Sequence, residues 1–163
     1  MPDLWPQDIA TTELTPPVTL LKEQGTLLGE KTKNLVVGKV VRLDDWSYAQ
    51  PGHFAYAFYL VAPALGNYRY KLLTLSYPPE FYPLCIDVDE DVFRETPAKH
   101  KREGSAYTPP TEGTSFPGLQ ISIMRRPHLY AESEEAYKEI LSAIFDATKT
   151  RTVVAAIVAQ STS

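Results

Sequence analysis

The chain is poor in cysteine: Cys85 is the single copy among 163 residues. One thiol excludes an intrachain disulfide and agrees with a reducing compartment. The histidines, His53, His100 and His128, stand at no spacing that marks a zinc site or a nucleophile pair. No apolar run approaches the ~20 residues that span a bilayer. The longest, Val153 to Ala159, has the length of a buried strand. The first residues, Met-Pro-Asp-Leu-Trp-Pro-Gln-Asp, lack the basic and apolar regions of a secretory signal. The expected location is the cytoplasm, with no membrane partner. Excess positive charge is missing too, since 16 Lys and Arg face 20 Asp and Glu for a net charge of −4. A grip on nucleic acid needs a basic face, so nucleic acid is not an expected partner. Phosphate-loop, dinucleotide, zinc-cysteine and Gly-x-Ser-x-Gly patterns are absent from the sequence. Neither a cofactor nor a metal ion is expected.

What is present describes one folded unit. The residues are 44% hydrophobic and 22% charged, a globular balance on a chain sized for one domain. Residues 1–14 read as an N-terminal arm, and 15–160 as a single α+β domain. Thr15-Pro16-Pro17 is a helix-start signal, with Thr15 as the cap and proline in the first turn. Val18, Leu21, Gly25 and Leu28 continue it at helical spacing, which predicts a helix over 16–31. Gly25 and Gly29 each weaken that helix, by up to about 1 kcal/mol if interior.

Leu35, Val37, Val41 and Leu43 alternate as a strand, with Lys39 interrupting the apolar face. His53 to Ala62 is a second strand with Phe54, Tyr56, Phe58 and Leu60 on one side. Gly66-Asn67 turns it into an antiparallel third strand, Tyr68 to Ser76. A fourth, Pro83 to Val88, follows an aromatic-proline elbow. Residues 89–118 read as a long surface loop, and Leu119 to Met124 as a fifth strand that Arg125-Arg126-Pro127 breaks. Ser133 caps a helix over about 133–148, where Tyr137, Ile140, Leu141 and Ile144 form an apolar stripe. Val153 to Val158 reads as a final strand. The expected fold is a mainly antiparallel sheet of five or six strands with both helices packed on it, in the order α-β-β-β-β-loop-β-α-β.

The elbow, Tyr77-Pro78-Pro79-Glu80-Phe81-Tyr82-Pro83, follows a helix and a run of antiparallel strands. In outline it resembles the ubiquitin-conjugating and RWD superfamily, in which a strand ends in a Tyr-Pro motif with a further proline downstream. The resemblance covers 16–88 by element order and about seven residues by motif. The His-Pro-Asn stretch and catalytic cysteine of the enzymes in that superfamily have no counterpart here, so the resemblance implies a non-catalytic binding domain. On its residues alone the elbow is a proline-stiffened connection with aromatic packing. Either Tyr77-Pro78 or Tyr82-Pro83 is open to a cis bond.

Asp87, Asp89 and Asp91 alternate, which on an extended strand points all three one way and offers oxygens to Ca²⁺ or Mg²⁺. Without a glycine turn or EF-hand spacing, the plainer reading is a charged strand end. Cys85 lies inside a strand and reads as a small buried hydrophobe. Arg125, Arg126 and His128 form a basic group that Arg42 and Arg69 could join. Of the ten tyrosines, Tyr48, Tyr56, Tyr59, Tyr68, Tyr70, Tyr77 and Tyr82 fall in the sheet region and predict an aromatic face suited to docking.

The expected function is therefore a non-enzymatic protein-interaction module: an adaptor, accessory or immunity-type protein. It would bind another protein through the aromatic sheet face or the acidic loop. Its candidate binding residues are Tyr59, Tyr70, Tyr82, Asp87, Asp89, Asp91, Arg126 and His128, with no catalytic residue. One alternative is a small-molecule binder or small enzyme using Tyr70, Tyr82, Arg126 and His128 in a pocket between sheet and helix. The other is a homo-oligomer that self-associates through the last strand.

Overall fold

Pro17 opens the first helix, α1 (Pro17–Lys31), in the computed structural model, which describes residues 1–10, 12–44, 52–102 and 127–163. Thr15 does not cap it. Pro16 occupies the cap position and no side chain bonds to the free amides there. Leu20, Leu21, Gly25 and Gly29 form the buried side. Thr32 ends the helix and ties it to the segment leading into the sheet. Its hydroxyl lies 3.0 Å from the Leu28 carbonyl and accepts the Val36 amide at 3.1 Å.

The strands β1 (Val37–Arg42), β2 (Phe54–Ala62), β3 (Tyr68–Tyr77) and β4 (Leu84–Asp87) form an antiparallel meander. Two further strands, β5 (Lys101–Arg102) and β6 (His128–Ala131), complete a six-stranded sheet in the order β1-β2-β3-β4-β6-β5. The β2–β3 hairpin turns where the sequence predicts, with Gly66 and Asn67 both at positive φ. At the elbow the Tyr82–Pro83 bond is the cis one.

Three sequence expectations are corrected. First, 89–118 is not loop throughout. Asp89 accepts the Val92 amide at 3.0 Å and starts the short helix α2 (Glu90–Arg94), which an Arg94–Glu90 ion pair at 2.7 Å supports. A 3₁₀ turn (Ala98–His100) and β5 come next. Second, the sheet gains β6 directly after Pro127, where the sequence reading placed a break; the strand expected at 119–124 lies outside the described residues. Third, Val153 to Val158 is not a strand. After α3 (Glu134–Asp146) it belongs to α4 (Thr148–Ser161), so self-association through a terminal strand loses its basis.

The reason for the third correction is tertiary. A short apolar β-branched run suits either state, and its surroundings decide. Both carboxylate oxygens of Glu95, just past α2, reach Thr148: one accepts the backbone amide at 2.8 Å and the other the hydroxyl at 2.7 Å. Thr150 adds a buried hydroxyl bond to the Ile144 carbonyl at 2.6 Å. Helix formation then buries Ile157 and lays Val153, Val154 and Val158 against the core. Glu95→Ala is expected to lower stability by about 1 kcal/mol, the usual cost of a lost helix cap. A urea titration checks this; an unchanged midpoint would show that the cap is not what holds α4.

The four described helices lie on one face of the sheet. Phe145 of α3 meets Phe58 at 6.2 Å between ring centroids, and Gly25 of α1 crosses Gly38 of β1. Ile157 of α4 and Val92 of α2 join the same core. Leu21, Leu73, Leu75, Ile86, Leu129, Tyr137, Ile140 and Ile144 are its fully buried centre. The α+β single-domain class read from the sequence is the observed one.

Candidate functional site

Strand alternation sends the residues between those core positions to the other face. No described helix covers it. The register sets Lys39 of β1, Tyr59 of β2 and Lys71 of β3 in one row. The neighbouring row holds Val37, Val61 and Arg69. Arg69 folds back over its neighbour: its guanidinium carbon stands 4.3 Å above the centre of the Tyr59 ring. That is cation–π geometry, and it holds both side chains in place at modest entropic cost. Lys39, Arg69 and Lys71 are exposed and Tyr59 is half-buried. Val41 adds apolar surface beside them. The result is an aromatic centre ringed by three cations, on a chain whose overall charge is negative.

Farther along the same face, Asp87 pairs with Thr74, and His128 pairs with Arg102. Arg102 lies 5.1 Å from the Tyr130 ring centre, a second cation–aromatic stack. Cys85 sits between Ser76 and Tyr130 in the register. Burial pushes its thiol up to about 11, so the thiolate needed for attack is scarce at neutral pH.

The other expected site residues are elsewhere. Tyr70 faces the helices, and its hydroxyl donates to Asp89 Oδ2 at 3.1 Å. Burial, followed by the charge of Asp89, raises that phenol to about 12. Asp89 is thus occupied twice, as the cap of α2 and as the acceptor for Tyr70. Asp91 lies in α2, 3.7 Å from Arg94 and 4.0 Å from Lys149. The three aspartates therefore do not share one side of a strand: the chain turns into a helix after Asp87. Among the described residues no cluster of His, Cys, Asp and Glu has the arrangement to hold a metal ion. Tyr82 belongs to the elbow, where burial and then the nearby Glu134 raise its phenol to about 12. Arg126 and Arg125 lie outside the described residues.

The pocket expected from Tyr70, Tyr82, Arg126 and His128 is not assembled by the described members. Tyr70 and Tyr82 are on the helix side and His128 is on the opposite face. Tyr70 instead lines a groove of about 440 Å³ with Tyr68, Lys149, Val153 and Ile157. The larger concavity is an open cleft of about 1000 Å³ between α1 and α3. The elbow is an aromatic packing unit: Tyr77 stacks on Tyr56 at 5.9 Å and meets Phe81 edge-on at 6.2 Å. Arg42 lies near Phe54 and Asp44, apart from Arg69.

Lys39, Arg69 and Lys71 were not singled out by sequence reasoning as a group. The signals were there. Lys39 interrupts an otherwise apolar strand face, and the Gly66-Asn67 turn sets Arg69 in the row next to Tyr59. Among the described residues, no helix is long and apolar enough to cross a membrane. No family model, no curated protein and no solved structure matches the chain.

Proposed function

We propose that this chain is a non-enzymatic protein-interaction module of the cytoplasm, an adaptor or accessory protein. It docks through the sheet face opposite its helices. The observation that carries this reading is the Arg69–Tyr59 stack at 4.3 Å, flanked by Lys39 and Lys71. Tyrosine and arginine are the side chains that most often dominate binding energy at protein interfaces. Here each holds the other in place before a partner arrives, which lowers the ordering cost of binding. The three cations select a partner with an acidic patch and steer its approach. A net charge of −4 on the whole chain disfavours polyphosphate ligands, whose charge is long-ranged and unselective.

The test is affinity purification with the wild type, Tyr59→Ala and Arg69→Glu in parallel. All three are expected to melt alike, because these side chains lie outside the core. The wild type retains a stoichiometric acidic protein. Each variant binds it about 30-fold more weakly, corresponding to about 2 kcal/mol for an interface hot spot. Retention of that protein by Arg69→Glu at wild-type affinity would move the docking surface elsewhere on the molecule.

A further inference from the structure

Among the described strands, β1 has a neighbour on one side only. It forms one edge of the sheet, and the two-residue β5 forms the other. One hydrogen bond sets the phase of the β1 edge. Leu43 donates its amide to the Ala55 carbonyl at 2.8 Å. The antiparallel register carries that phase back through Val41, Lys39 and Val37, whose backbone groups point at β2. Gly38, Val40 and Arg42 point theirs away from the sheet. Helix α1 closes the first of these positions, because Gly25 sits on the Gly38 carbonyl. Val40 and Arg42 keep amides and carbonyls without a backbone partner among the described residues. Such a row is a template for an added strand.

The side chains select which strand. Lys39-Val40-Val41-Arg42 sets a cation at each end of two β-branched residues. Lys39, Val41 and Arg42 are exposed. Lys39 has no carboxylate partner among the described residues. Arg42 lies 3.6 Å from Asp44, with both side chains mostly in water, and a pair of that kind is weak enough to exchange. A second copy of β1 would bring two further cations into the same ribbon, which disfavours self-pairing. A strand reading acidic-apolar-apolar-acidic complements every position, in either direction. Its carboxylate opposite Lys39 continues the row Lys71, Tyr59, Lys39.

We propose that the partner adds an extended acidic segment of this pattern to the β1 edge, alongside Lys39 to Arg42. The added strand gives a form to the acidic partner inferred for the Tyr59 face, and it rests on that reading.

The probe is a short synthetic peptide carrying Glu-Val-Val-Glu, and the readout is amide hydrogen exchange in the full chain. In the free protein the Val40 and Arg42 amides are expected to exchange faster than those of Lys39 and Val41, which point at β2. Saturating peptide slows Val40 and Arg42 by about ten-fold or more and leaves Lys39 and Val41 unchanged. N-methylation of one central valine of the peptide abolishes binding, and N-methylation of the other spares it, because successive strand amides point opposite ways. Slow exchange at Val40 and Arg42 in the free protein overturns the proposal. So does a peptide that fails to bind, or that binds without protecting those two amides. The captured partner separates this proposal from the docking face. Protection of the Lys39 and Lys71 side chains with the Val40 and Arg42 amides unchanged keeps the face and overturns the added strand. Protection of both amides by a partner that holds Arg69→Glu as tightly as the wild type supports the strand and overturns the face.

Discussion

Tyr137→Ala is expected to cost about 4 kcal/mol of folding stability, the range for removing a buried aromatic ring. On a domain of this size that lowers the melting temperature by about 10 °C. Tyr137 is fully buried in α3, and its hydroxyl donates to the Pro17 carbonyl at 2.9 Å. One side chain thus fills the core beneath the elbow and satisfies a backbone acceptor in the first turn of α1. Burial, together with the nearby Tyr82 and Tyr77 hydroxyls, raises its phenol strongly, which keeps the proton in place for that bond. Tyr137→Phe keeps the ring and loses the bond. It is expected to cost about 1 to 2 kcal/mol, the penalty for an acceptor left unpaired in the interior. Urea unfolding of both variants separates the two contributions. Equal losses would mean that the hydroxyl, rather than the ring, carries the contact.

Gly38→Ala is expected to cost about 3 kcal/mol, at the upper end for overpacking a filled core. A Cβ at Gly38 would come within 2.5 Å of the Gly25 Cα and of the Phe58 ring. A Cβ at Gly25 meets the Gly38 carbonyl oxygen at the same distance. Backbone sits directly on backbone here, so neither partner can move aside cheaply. This crossing fixes α1 on β1 and thereby fixes which side chains of β1 face the helices. Lys39 points the other way because Gly38 is held under the helix. Thermal unfolding of Gly38→Ala checks the magnitude; a loss below about 1 kcal/mol would show that α1 slides to make room.

These two contacts also mark where sequence reasoning stops. The periodicities of α1, α3 and β1 to β4 are legible because each element buries one side in a regular pattern. Gly25 reads locally as a helix-weakening residue, and only the fold reveals it as a crossing point. Val153 to Val158 reads as a strand because its β-branched composition says so, while the carboxylate that starts the helix belongs to Glu95, 53 residues away. Asp87, Asp89 and Asp91 alternate like strand residues, yet Asp89 is a helix cap and Asp91 a helix residue. A short polar cap can end a strand as readily as continue it, so alternation across three residues decides little. Of the site, Tyr59 was legible from its place in an aromatic strand. Its partner Arg69 becomes visible only when the hairpin is closed and the two strands are brought into register.

Which face of the sheet meets the partner is tested most directly by lysine footprinting of the captured complex. Lys39 and Lys71 flank Tyr59 on one face of the sheet, whereas Lys22 and Lys138 belong to the helices on the other side. Acylation of the free and bound protein, read by mass spectrometry, is predicted to show Lys39 and Lys71 protected in the complex and Lys22 and Lys138 unchanged. Protection of Lys22 and Lys138 with Lys39 and Lys71 still reactive would place the partner on the helices and contradict the assignment of the Tyr59 face.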